Sequence, residues 1–186
     1  MKAYSCFSTV VIALFLLASL ALGGGSCREV VRDASGRIVY TVDHWKSADG
    51  TDHATMRDAS GRITGTAVTS PGSGGGSRTV YRDATGRITG NATAWKSAGG
   101  ATRTTFRDGT GRIVGSADAW KSSGHTVHTR FRDATGRSTG TSTTWCHPSA
   151  HQCTTTRRDS SGRIIANGSA NGSCRLLVPK PPAGNK

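Results

Sequence analysis

The chain is short of the residues from which a thick hydrophobic core is built. Aromatics make up 6% of its 186 positions, and hydrophobic residues of every kind 34%, even with an apolar leader counted. Beyond that leader, large apolar residues are sparse and evenly spaced. This excludes a bulky globular core and favours a thin repetitive sheet in which each unit contacts only its neighbours. Acidic residues are scarce as well: 11 against 24 Lys and Arg, for a net charge of +13 and a pI near 10.5. Such a surface attracts polyanions, among them nucleic acid, anionic lipid, acidic polysaccharide and lipopolysaccharide. Repeat units that each carry two Arg and one Asp account for most of the excess by themselves. Also lacking is any recognisable catalytic constellation. Ser and Thr are so common that a triad would match anywhere, so an enzyme is the least supported class, and no cofactor is expected.

What is present begins with a leader. Lys2 supplies a positive start, Val10 to Leu22 an apolar stretch, and Ala21, Gly23, Gly24 and Gly25 a small-residue cleavage site. Residues 1–25 therefore read as a secretory signal. The expected destination is the extracellular space, the cell surface or the periplasm, with no transmembrane span in the mature chain. The apolar run is short for a membrane span, and an uncleaved anchor is the alternative. Cys27 stands where a lipoprotein cysteine would. Gly24 occupies the place where such signals carry Leu, so a lipid anchor at Cys27 ranks below simple export.

The mature chain is organised around one motif, met at its clearest as Tyr81-Arg82-Asp83-Ala84-Thr85-Gly86-Arg87-Ile88. Copies begin at Arg32, Arg57, Arg82, Arg107, Arg132 and Arg158, spaced 25, 25, 25, 25 and 26 residues apart. A period this regular means a repeat architecture. Each copy reads as a turn. Asp83 opens it, its carboxylate accepting from the backbone N–H groups two and three residues on, and Gly86 supplies the left-handed conformation that ends a type I turn with a bulge. Asp33 and Gly36, Asp58 and Gly61, Asp108 and Gly111, Asp133 and Gly136, and Asp159 and Gly162 take the same roles. Turn capping, not catalysis, accounts for these carboxylates.

The flanks read as strands. Thr79-Val80-Tyr81, Thr104-Thr105-Phe106 and Thr129-Arg130-Phe131 precede the turns. After Arg87, Ile88, Gly90, Ala92 and Ala94 alternate with Thr89, Asn91, Thr93 and Trp95, the period-2 pattern of a half-buried strand. On this reading the isoleucines are core. A second turn joins units at Trp45 to Gly50, Trp95 to Gly100 and Trp120 to Gly124. The second unit has instead the Gly-rich, flexible-looking Ser70 to Gly76. The expectation is all-β: an antiparallel meander of six 25-residue hairpins, about twelve strands over residues 27–175. Open twisted sheet, solenoid-like stack and closed barrel all fit. The basic, Pro-rich residues 176–186 read as a disordered tail.

An aromatic, an Asp, two residues, then Gly-Arg and an aliphatic is similar to the YD repeat of the RHS (rearrangement hot spot) family, whose core reads Tyr-Asp-x-x-Gly-Arg-Leu. Here an Arg is inserted between Tyr81, Phe106 or Phe131 and the Asp. Ile replaces Leu at 38, 63, 88, 113 and 164, and Ser138 breaks the pattern. The resemblance covers residues 28 to about 170. It implies an exported β-hairpin repeat protein. Long arrays in that family wrap into a shell around a toxin cargo, for which six short units are expected to be too few.

Of five cysteines, Cys27, Cys146, Cys153 and Cys174 follow the leader, an even number as export would demand. Cys146 and Cys153 flank the fifth inter-hairpin turn, where a disulfide staple is expected. The alternative is a zinc site formed with His147 and His151. A Cys27–Cys174 pair would bring the array's ends together. His125 and His128 read as surface residues. Asn91, Asn167 and Asn171 fit glycosylation acceptors.

Three functions follow. The leading one is a structural or adhesive protein of the cell surface or extracellular space. The second is polyanion binding, with Arg82, Arg87, Arg107, Arg112, Arg132 and Arg137 aligned across strands and Trp95, Trp120 and Trp145 in a parallel row able to stack on sugars or bases. The third is ice or surface binding through Thr102, Thr104, Thr105, Thr129 and Thr141 to Thr144.

Overall fold

The computed structural model describes residues 26–147 and 152–171. The signal over 1–25, the tail over 176–186, and Cys174 and His151 lie outside these residues. Twelve strands follow one another: β1 (Cys27–Asp33), β2 (Ile38–Lys46), β3 (Asp52–Asp58), β4 (Ile63–Pro71), β5 (Ser77–Asp83), β6 (Ile88–Lys96), β7 (Thr102–Asp108), β8 (Ile113–Ser122), β9 (Thr126–Asp133), β10 (Ser138–His147), β11 (Gln152–Asp159) and β12 (Ile164–Asn171). Each pairs antiparallel with its neighbours in sequence, and β12 returns to pair with β1, closing a barrel. The Gly-rich stretch of the second unit forms a tight turn, with Gly72 N–H donating to the Gly76 carbonyl at 2.9 Å.

Closure follows from a register that repeats. Val31 lies opposite Tyr40, and Tyr40 opposite Asp58. Met56, Gly65 and Asp83 make the next such walk, and Tyr81, Gly90 and Asp108 the one after. Phe106, Gly115 and Asp133 continue it, as do Phe131, Gly140 and Asp159. Arg157, Ala166 and Asp33 complete the circuit across the seam. Every walk starts two residues before a turn Asp and ends on the turn Asp of the next unit. The total stagger is therefore about 12 residues over the twelve strands, which sets a strand tilt of roughly 35–40° and a radius of about 10–11 Å. Equivalent residues of the six units are related by rotation about the barrel axis and lie at one height.

Paired residues share a face. Tyr81, Phe106 and Phe131 point inward with Val42, Ala54, Ala67, Ala92 and Ala117, forming one buried cluster against which Met56 packs. The isoleucines do not join it. Between Tyr81 and Arg82 the register shifts, so that Tyr81 faces Gly90 but Arg82 faces Ile88. That bulge turns Ile88 to the outer wall beside Arg82, where it is 46% exposed. Ile38, Ile63, Ile113 and Ile164 are exposed in the same way. The alternation assigned to them holds only from the bulge onward, where Gly90, Ala92 and Ala94 are buried.

The threonines divide by the same alternation. Thr79, Thr104, Thr129 and Thr144 are buried, and Thr69–Thr79 and Thr144–Thr155 share hydroxyl hydrogen bonds of 2.8 Å across strands. The threonines named for an ice-binding array are thus divided between the two faces of a curved wall, with Thr104, Thr129 and Thr144 inside and Thr141 and Thr143 outside.

Two outcomes are expected. Phe106→Ala, at a side chain 1% exposed, should cost about 3–5 kcal/mol in urea unfolding. A circular permutant opened at Gly74, with the original ends joined by a short flexible linker, should keep the far-ultraviolet spectrum and cooperative melt of the parent. The seam register equals the other five, so a permutant that fails to fold would contradict closure.

Candidate functional site

All six motif turns lie at one end of the barrel, and each is built by the same six hydrogen bonds. In the third unit, Asp83 N–H donates to the Arg87 carbonyl and Gly86 N–H to the Asp83 carbonyl, both at 3.0 Å. The Asp83 Oδ1 accepts from Thr85 N–H at 2.9 Å, from the Thr85 hydroxyl at 2.6 Å and from Arg87 N–H at 3.0 Å. The carboxylate thus reaches the N–H groups two and four residues on, not two and three, because the third belongs to Gly86 and closes the turn itself. Gly86 sits at φ 86°, a conformation that disfavours side chains. Finally, the Arg82 guanidinium donates to the Gly86 carbonyl at 2.9 Å.

The first Arg of each motif is therefore a clip on its own turn. Arg32, Arg57, Arg107, Arg132 and Arg158 bind the carbonyls of Gly36, Gly61, Gly111, Gly136 and Gly162 at 2.9–3.2 Å. Arg57 and Arg132 also reach down the wall to Asp43 and Asp118, at 3.3 and 3.7 Å. Each of those aspartates pairs on its other side, with Arg28 at 2.6 Å and Arg103 at 2.8 Å respectively.

The second Arg contributes its backbone to the turn and leaves its guanidinium outside. Arg37, Arg62, Arg87, Arg112, Arg137 and Arg163 are all exposed, and no hydrogen bond or ion pair to their guanidinium groups is found among the described residues. Twelve arginines thus ring the barrel end against six aspartates. The sequence singled out Arg82, Arg87, Arg107, Arg112, Arg132 and Arg137 as one row. The structure places them in this crown, separates them into clips and exposed cations that sit in the field of their own turn Asp, and adds the same pairs from units one, two and six.

The tryptophans lie elsewhere. Trp45, Trp95, Trp120 and Trp145 stand near the opposite ends of β2, β6, β8 and β10, on the outer wall and 39–47% exposed. Strands of this length separate them from the crown by roughly 25 Å. The Trp95, Trp120 and Trp145 row exists, on every second strand, but it makes no shared surface with the arginines. Trp45 is already stacked on His53 at 3.7 Å, and Trp120 on His128 at 5.8 Å with Arg130 over its ring. His128 also shares a 3.1 Å hydrogen bond with Ser122, while His125 occupies a turn at φ 63°.

Cys146 and Cys153 face each other across β10 and β11 and form a disulfide of 2.04 Å. Both sulfurs are thereby unavailable as zinc thiolates. Cys27 is disulfide-bonded too, and so is not the free thiol that a lipid anchor requires. Asn91, Asn167 and Asn171 point outward on β6 and β12.

Polar side chains lie inside the seam, which the reading of the repeat did not anticipate. Arg157 takes the inward place that Tyr81, Phe106 and Phe131 hold in other units, and its guanidinium lies 4.9 Å over the Phe131 ring. Glu29, the chain's one glutamate, stands 3.7 Å from His44 Nε2. Burial pushes the Tyr81 phenol up to about 12, and its hydroxyl finds no hydrogen-bond partner among the described residues. The signal available beforehand was a break in the repeat: Arg157 where an aromatic belongs.

Compared with known proteins, the chain matches no family model and no curated protein.

The turn aspartates set an acid limit. Asp33, Asp58, Asp83, Asp108, Asp133 and Asp159 are held below the ordinary value of 3.8, first by the Ser or Thr hydroxyl hydrogen bond. A depressed carboxylate contributes stability that is present above the unfolded value and lost as pH falls through the folded one. The melting temperature should therefore drop below pH 3.8. The pair Thr85→Val and Thr110→Val should melt lower at neutral pH and show a shallower acid fall. An equally steep fall in that variant would show that the hydroxyls do not hold the carboxylates.

Proposed function

We propose that the chain is an exported, non-catalytic binding module that attaches to polyanionic surfaces through its arginine crown. The observation that carries this reading is the ring of six exposed guanidinium groups at Arg37, Arg62, Arg87, Arg112, Arg137 and Arg163. They stand at one height, on a scaffold whose aspartates are committed to holding the turns. A guanidinium offers a planar fork of donors suited to phosphate, sulfate and carboxylate oxygens. Held as a ring, six of them engage a multivalent anion far better than one.

Export is supported by the leader, by the Cys146–Cys153 disulfide, and by the likeness of the turns to YD-repeat units. The turn carboxylates are spent on backbone and hydroxyl donors, which supports a binding role over catalysis. The outer wall carries Arg28, Asp43, Arg78, Arg103, Asp118 and Arg130, unlike the apolar band of a membrane-spanning barrel. No helix among the described residues is long and apolar enough to cross a membrane. This module would serve adhesion at a cell surface or in an extracellular matrix.

The test is salt-dependent binding to duplex DNA and to heparin as model polyanions. Replacing Arg87, Arg112 and Arg137 by Gln should weaken DNA binding and reduce the slope of log K against log salt by about 2–3. Replacing Lys46, Lys96 and Lys121 at the far end should leave the slope unchanged. Wild-type binding that is insensitive to salt, or equal losses from the two ends, would overturn the reading.

A further inference from the structure

The crown is not purely cationic. On the same rim, directly opposite the first arginines across each bulge, stand Ile38, Ile63, Ile88, Ile113 and Ile164, each 37–46% exposed. The next residues in the bulges, Val39, Val114 and Ile165, are also 37–46% exposed. Apart from Tyr40, which faces the barrel interior opposite Val31, the other large hydrophobics exposed among the described residues are the four tryptophans of the far end. Exposed aliphatic side chains that recur around one rim, on every second strand with arginines between them, mark an interaction surface. A soluble polyanion gains nothing from it, because its charged groups prefer guanidinium and water to aliphatic carbon.

Resting on the polyanion reading, we propose that the crown end docks face-on to an anionic lipid bilayer, its arginines binding headgroup phosphates and its isoleucine belt entering the acyl boundary. The ring shape favours a plane over a linear chain. Because all six junctions share one register, the six turns end at one height, and a flat surface meets them together. The order of residues suits the depth of a bilayer interface. The turn tips are small, Ala84 and Thr85 in the third unit, with Arg87 and then Ile88 immediately behind. An interfacial protein sinks about 5–10 Å into the headgroup region, enough to bring the residues just behind a two-residue tip to the acyl boundary. Cations with apolar anchors are the two signals that together give stable attachment where either alone is marginal. The six turn aspartates stay charged and reduce the attraction, but the twelve arginines of the crown outnumber them two to one.

The repeat supplies its own control. The fifth unit carries Ser138 where the others carry Ile, leaving one gap in the belt. The experiment is co-sedimentation of the full secreted chain with vesicles of phosphatidylcholine alone and of phosphatidylcholine mixed equally with phosphatidylglycerol. Heparin retention is measured in parallel and melting curves confirm folding. The wild type should bind the phosphatidylglycerol vesicles and leave phosphatidylcholine vesicles unbound. Ile88→Ser with Ile113→Ser should lower vesicle partitioning about tenfold without changing heparin retention, and Ser138→Ile should raise it severalfold. If the Ile variants bind anionic vesicles as the wild type does, or heparin retention falls in step, the lipid assignment is overturned and the polyanion reading stands. Equal binding to both vesicle types overturns the requirement for anionic headgroups. If the wild type binds neither heparin nor vesicles, both readings fall.

Discussion

A barrel closes only when the stagger taken at its last junction agrees with the stagger accumulated at all the others. Here that agreement comes from one local structure made six times. The Asp carboxylate, the Ser or Thr hydroxyl and the left-handed Gly fix a turn of one geometry. The bulge behind it fixes how the next strand is entered. Each hairpin therefore advances the register by the same two residues, and the pairing of β12 with β1 repeats a step already taken five times. The core is thin because it need not do more. A ring of inward residues led by Phe106 and Phe131 packs against alanines, while the hydrogen-bonded ladder runs round without an edge.

That same turn creates the functional surface. A turn repeated at one height puts every residue in it on a ring, so the two arginines of the motif become twelve around one rim. The turn also assigns them different work. The first Arg closes on the Gly carbonyl of its own turn, and the second is oriented by its backbone N–H and left with an exposed guanidinium. The bulge that re-enters the ladder puts an isoleucine on the outer wall beside them. The far end, with its tryptophans stacked on His53 and His128, has a different chemistry, and the length of the strands keeps the two apart.

Much of this could be read from the chain without coordinates. The 25-residue period, the Asp and Gly of each turn, the inward alternation of Gly90, Ala92 and Ala94, the staple at Cys146 and Cys153 and the count of about twelve strands all follow from local rules. Ile88 was misassigned for an instructive reason. Strict alternation from Gly90 backward puts it inside, and only the one-residue bulge puts it out. The Ser or Thr two residues after each Asp was present in all six copies as a legible sign of the carboxylate's third hydrogen bond. Arg157 inside the seam was legible only as a break in the repeat, because its meaning depends on which strands become neighbours when the ends meet.

By itself the sequence determined the unit: a hairpin whose turn chemistry is complete within eight residues and needs nothing distant to form. Tertiary structure decided what six such units make. Whether the sheet stayed open or closed, and whether the arginines formed a row or a ring, depended on the sum of small register steps around the whole array. So did whether isoleucine and arginine would share a rim that tryptophan does not. A register step is set by pairing between strands, and its sum exists only once β1 and β12 have met.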